Sequence, residues 1–191
     1  MNKTILAVIA AASVAMSAQA MAVNTAEVTV MGEVNDAATS CVIKPTGTLN
    51  NGIVRLTTIT TSEANGQSEG ALFKSQDFGF EVSDCAKGST NAAKVNSLTV
   101  AVTGTTNSNP DILVNTADNG AQGIGIGIAK KDDNSRLTFD GSKTMTETYK
   151  PDETSTLKYT AGYVKINKDT TVTEGPVKGV ATFTIDYTVS N

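Results

Sequence analysis

The chain has 191 residues, a formal charge of −4, two cysteines, and neither histidine nor tryptophan. The length fits one domain with a sizeable core, and scattered acidic residues without a basic patch disfavour nucleic acid and anionic lipid as partners. Without histidine, no Ser-His-Asp or Cys-His catalytic arrangement and no histidine-bearing zinc site can be built.

The first segment is a leader. Lys3 supplies one positive charge, Ile5 to Ala15 is an apolar run too short for a bilayer, and Ala18-Gln19-Ala20 is a small-x-small cleavage site. Residues 1–20 therefore read as a secretory signal peptide, with a second possible cut after Ala22. Removing Lys3 takes the charge from −4 to −5. No later stretch is apolar enough for a spanning helix, so the mature chain is not expected to insert in a membrane.

Ala26 to Val34 reads as a strand, with Ala26, Val28 and Val30 on one face and Glu27, Thr29 and Met31 on the other. It arrives with no turn and partner strand before it, although its backbone groups need a neighbour. Cys41 and Cys85 follow. An even pair in a secreted chain is most simply one disulfide, worth about 4 kcal/mol by the chain-entropy argument. Two free thiols or a metal pair are the competing readings, the latter poor in ligands.

Further along, Asp77 to Val82, Leu98 to Val102 and Leu137 to Phe139 alternate as half-buried strands. Asn50-Asn51-Gly52, Asn65-Gly66, Asp118-Asn119-Gly120 and Asp140-Gly141 are turn signals between such runs. Ser62 to Gly70, the most polar stretch, reads as a loop or short edge element. Gly123 to Ile128 lacks the spacing of a nucleotide loop. It reads as a strand whose isoleucines face the core while the glycines admit a close approach or a bend. Lys130 to Ser135 lacks the ligand spacing of a calcium loop and reads as a solvated hairpin turn. Asp132 with Asp133, and Asp152 with Glu153, are the remaining candidates for paired-carboxylate catalysis, but they sit in turn-like polar segments as ordinary solubilising charge. No enzyme, cofactor or metal site is expected.

Four pieces, in order, resemble the major-type subunits of chaperone–usher fimbriae. They are Gly32-Glu33-Val34 leading to Cys41-Val42-Ile43; Phe78 to Cys85; the Gly-Ile alternation followed by Leu137 to Gly141; and Tyr159 to Tyr163 with Gly175 to Tyr187. The resemblance implies an all-β, incomplete immunoglobulin-like sandwich that lacks its last strand, G, and is completed by a donor strand. Residues 21–31 would be the donor extension and 32–191 the pilin domain, with Gly32 onward continuing as the subunit's own first strand. Ala26, Val28 and Val30 would enter a neighbour's groove, and Ala181, Phe183, Ile185 and Tyr187 would line the acceptor groove, Tyr187 ending its strand. Too few residues follow Tyr187 for another strand across a sandwich. In this family the penultimate residue is typically a tyrosine beside a terminal carboxylate held by the chaperone; here residues follow Tyr187.

The implied partners are copies of the chain or related pilins, a periplasmic chaperone and an outer-membrane usher. The implied route is through the periplasm to a surface fimbria that supports adhesion. The alternative is a fimbrial adhesin or secreted lectin-like domain. Against it stand the extension, the single domain and the absence of tryptophan to stack on sugars.

Overall fold

The computed structural model describes residues 26–31, 41–49 and 52–189. The leader, the strand expected from Gly32 toward Cys41, and the Asn50-Asn51 part of a turn lie outside them.

Among the described residues ten strands form two sheets. One contains β1 (Ala26–Met31), β3 (Ile53–Leu56), β5 (Val95–Gly104), β8 (Asp140–Thr148) and β10 (Val177–Val189), in the order β3-β1-β10-β5-β8. The other contains β2 (Val42–Thr46), β4 (Leu72–Ser83), β6 (Leu113–Val114), β7 (Ile124–Lys130) and β9 (Ser155–Lys165), in the order β2-β4-β9-β7-β6. The expected all-β sandwich is therefore found.

The period-2 pattern explains which faces meet. Phe78, Phe80 and Val82 of β4, Leu98, Val100 and Val102 of β5, and Ala181, Phe183 and Ile185 of β10 are buried between the sheets. The centre is a cluster of rings: the Phe183 centroid lies 5.0 Å from those of Phe80 and Tyr159 and 6.0 Å from that of Phe78, separations typical of favourable aromatic pairs. The disulfide reading also holds, since Cys41 is bonded to Cys85 and ties the start of β2 to the end of β4.

The Gly-Ile run forms β7 with Ile124, Ile126 and Ile128 buried. Its glycines have the use anticipated. A Cβ on Gly127 would overlap the Arg136 guanidinium, and one on Gly125 would overlap Leu113 and Ile112. Arg136 is fixed there by bonds from Nη2 to the Asp111 carbonyl (2.6 Å) and from Nη1 to the Gly70 carbonyl (3.1 Å).

Two local expectations need correction. Within the polar 62–70 stretch lies part of a helix, α1 (Thr61–Asn65). Thr60 caps it, its Oγ1 accepting from the Glu63 N–H at 3.1 Å, so the T-x-x-E pattern marked a helix start. Leu137 to Phe139 is buried at both apolar ends but joins no ladder. The segment crosses from one sheet to the other: Leu137 N–H donates to Ile128 O, and Phe139 N–H to Pro110 O. A crossing segment with alternating burial reads like a strand in sequence.

Candidate functional site: the slot beside the last strand

The last strand was expected to end at Tyr187, but β10 continues through Thr188 and Val189. Its alternation is regular. Val177, Gly179, Ala181, Phe183 and Ile185 are buried, while Lys178, Thr182, Thr184 and Asp186 are exposed. Of the proposed acceptor residues, Ala181, Phe183 and Ile185 lie on the inward face, and Tyr187 is half-buried at its far end. On one side β10 pairs antiparallel with β5, Phe183 opposite Val102 and Ile185 opposite Val100.

On the other side lies the slot, and β1 is in it. Residues 26–31 run parallel to β10, with Ala26 opposite Val177, Val28 opposite Gly179 and Val30 opposite Ala181. The opposite edge of β1 pairs antiparallel with β3, Ala26 against Leu56 and Val28 against Val54. Leu56 and Val54 are buried, so Ala26 and Val28 are registered against buried positions on both flanks, and Val30 against buried Ala181 on one. The residues expected to donate, Ala26, Val28 and Val30, stand in register with Val177, Gly179 and Ala181 of this chain's own β10. The difference from expectation is whose slot it is.

Gly179 sets the depth. A Cβ built there would stand 3.2 Å from side-chain atoms of Ile126 and Leu113 in the facing sheet, so the absent side chain lets β10 lie close to that sheet. Beyond Val177 the slot opens into a small apolar cleft lined by Ile59, Ala64, Ile124, Tyr163 and Val172. The Tyr163 hydroxyl donates to the Thr57 carbonyl at 3.1 Å, and burial pushes its pKa up to about 12.

Two asparagines hold this end, Asn65 read from sequence only as part of an Asn-Gly turn signal and Asn115 not singled out at all. Asn115 Nδ2 donates to the carbonyls of Ala121 (2.9 Å) and Pro176 (2.8 Å), while its Oδ1 accepts from the Lys178 N–H (2.9 Å). Asn65 bonds both backbone groups of Val172, at 2.8 and 3.1 Å. Neither role shows in the sequence, because Val172, Pro176 and Lys178 are remote from them in the chain. Lys165, the buried lysine on β9, donates from Nζ to the Asn65 carbonyl at 3.2 Å and so steadies the end of α1.

The two sheets are also joined at an edge. Lys130 of β7 and Glu147 of β8 form a half-buried ion pair at 2.6 Å, which raises the Lys130 pKa through the hydrogen bond to Glu147. Nothing around the slot is arranged for chemistry. Among the described residues there is no group of three or more metal-binding side chains, and no helix is long and apolar enough to cross a membrane.

A two-sheet sandwich whose last strand is flanked by a slot that takes an N-terminal strand is the architecture of chaperone–usher pilus subunits. The P pilus rod subunit PapA superposes with a TM-score of 0.60 at 26% identity, over 78% of this chain and 99% of PapA. A subunit in the structure of a chaperone–usher pilus matches with the same score and identity, over 83% of this chain and 92% of its own. A tip adhesin of Pseudomonas aeruginosa, CupB6, shares the fold over 33% of its length at 22% identity and a TM-score of 0.50. A search of curated protein sequences returns no match. The family described as Fimbrial protein matches residues 26–188. The chain belongs to that family and is a structural subunit of a surface fimbria.

Proposed function

We propose that this subunit polymerises by strand donation. The extension 21–31, exposed once the leader 1–20 is removed, supplies Ala26, Val28 and Val30 to the groove of a neighbouring pilin, ahead of a pilin domain spanning 32–191. Ala181, Phe183, Ile185 and Tyr187 line the groove that receives the next donor. Before assembly a periplasmic chaperone covers this groove, and an outer-membrane usher passes the subunit to the growing fibre at the surface.

The observation that carries the reading is the register of β1. A six-residue strand taken from the extension fits between β3 and β10 with every second residue opposite a buried position. A segment with that fit in one copy of the slot has it in the slot of the next identical copy. Strand addition supplies main-chain bonds for affinity and alternate side chains for specificity.

The test compares Val28→Asp with Thr29→Asp in cells. Chaperone-bound subunit is measured in the periplasm and fibre on the surface by electron microscopy. A carboxylate at Val28 places an unpaired charge opposite Gly179 and Val54, so fibre should be lost. Thr29 lies on the other face of the strand, and its variant should assemble. Equal assembly of the two variants refutes donation by this stretch.

A further inference from the structure

We propose that the open edge of β8 is a self-association surface: it pairs antiparallel with β8 of a second copy of the chain, about a two-fold axis at Met145. The contact is separate from the slot and does not depend on strand donation, since β5 and β10 stand between β8 and β1 in the sheet.

The two sheets end in four edge strands, and three of them are blunted. β6 has two residues, β3 has four, and β2 carries Pro45, which has no N–H to offer. β8 has nine residues, no proline and, among the described residues, no strand on its outer side.

The backbone phase of this edge follows from its inner side. The Tyr149 N–H donates to the Asn96 carbonyl at 3.1 Å, one step beyond the Thr148–Ser97 pair. Hydrogen-bonded and non-hydrogen-bonded positions alternate along an antiparallel ladder. Glu147 and Met145 therefore direct their N–H and C=O toward β5, whereas Thr144, Thr146 and Thr148, all exposed, direct theirs away from it. The run stops at Ser142, whose N–H donates to Asp140 Oδ1 at 3.0 Å.

Charge selects the register. With Thr144 of each copy opposite Thr146 of the other, Met145 faces Met145 at the axis and Lys143 faces Glu147 twice. Shifted by two residues either way, Thr146 or Thr144 faces itself, and Glu147 or Lys143 meets Met145 instead. In the first register Lys143, Met145 and Glu147 share one face and take the non-hydrogen-bonded positions, where Cα atoms are about 4.5 Å apart and side chains closest. The Glu147 end has acidic charge to spare. Glu147 holds Lys130 at 2.6 Å, and the charges of Asp132 and Asp133 bear on the same lysine, so three carboxylates share one ammonium. Among the described residues Lys143 is exposed and forms no ion pair. A lysine on an edge ordinarily deters pairing; here it meets a carboxylate in one alignment and nothing in the shifted ones. Opposite-charge and Thr–Thr pairs across strands are both stabilising.

The test uses the purified, leader-free chain and measures oxidative cross-linking into dimers on non-reducing gels. Met145→Cys sets two thiols directly opposite, at a Cα separation of about 4.5 Å, within disulfide range. Thr146→Cys sets them on a diagonal of about 7–8 Å, outside it. The first variant should couple at least about tenfold faster than the second. Adding Lys143→Glu, at an exposed position, puts like charges opposite each other twice and should slow coupling of Met145→Cys about tenfold. An equimolar mixture of Lys143→Glu and Glu147→Lys, both carrying Met145→Cys, should restore it, because every carboxylate then meets an ammonium. Should Glu147→Lys fail to fold for want of its bond to Lys130, the other comparisons decide the matter. Equal coupling at the two cysteine positions, faster coupling at 146, no effect of Lys143→Glu, or no dimer at all overturns the pairing.

Discussion

Replacing Phe183 by alanine tests whether β10 supplies the floor of the core as well as the wall of the slot. The side chain is 3% exposed, and its ring stands among Phe78, Phe80 and Tyr159 at 5.0 to 6.0 Å between centroids. Three of these rings come from the facing sheet, so truncation removes the contact between layers and leaves a space bounded by rigid rings that cannot collapse easily. Phe→Ala changes at such sites cost about 3–5 kcal/mol. For a domain of this size each kcal/mol shifts Tm by roughly 2–4 °C, so the variant should melt at least about 6 °C lower. Tyr187→Ala is the control: that residue is half-buried at the strand's end and makes none of the ring contacts described for Phe183, so its effect should be smaller. The assay is thermal unfolding of the monomer followed by circular dichroism. A loss below about 1 kcal/mol for Phe183→Ala, or equal losses for the two variants, would refute the account of β10 as the centre of the core.

On the strand-donation reading, Ile185→Asp should abolish capture by the proposed chaperone and all fibre, because it puts a carboxylate on the buried face of β10; normal yields of both would mean that this strand does not line the groove. Removing the Cys41–Cys85 bond by a double serine substitution should cost about 2–5 kcal/mol in denaturant unfolding. Asn115→Ala leaves the Lys178 N–H and two carbonyls without their partner and should cost about 1–3 kcal/mol, with faster hydrogen exchange at Lys178. The Tyr163 pKa, raised by burial to about 12, exceeds the ordinary 10. The folded state therefore holds that proton more tightly, and its stabilisation is complete below pH 10 and lost as pH rises through 12. A phenolate absorbance titration should show Tyr163 ionising late or only on unfolding.

The strand content, the core faces and the disulfide were legible because each rests on local pattern. Period-2 alternation at Phe78 to Val82 and at Ala181 to Ile185 is imposed by the pleat itself, and two cysteines in a secreted chain leave few pairings. Leu137 to Phe139 misled for the same reason, since a segment crossing between layers alternates in burial without a ladder. Asn65 and Asn115 stayed silent because their bonds reach Val172, Pro176 and Lys178, positions that only the folded topology brings near.

The occupant of the slot belongs to a third kind. Alternation in Ala26 to Met31 shows that one face wants burial, but it does not state whether that face is covered within one chain or between two. That choice is set by tether length and concentration rather than by side-chain pattern.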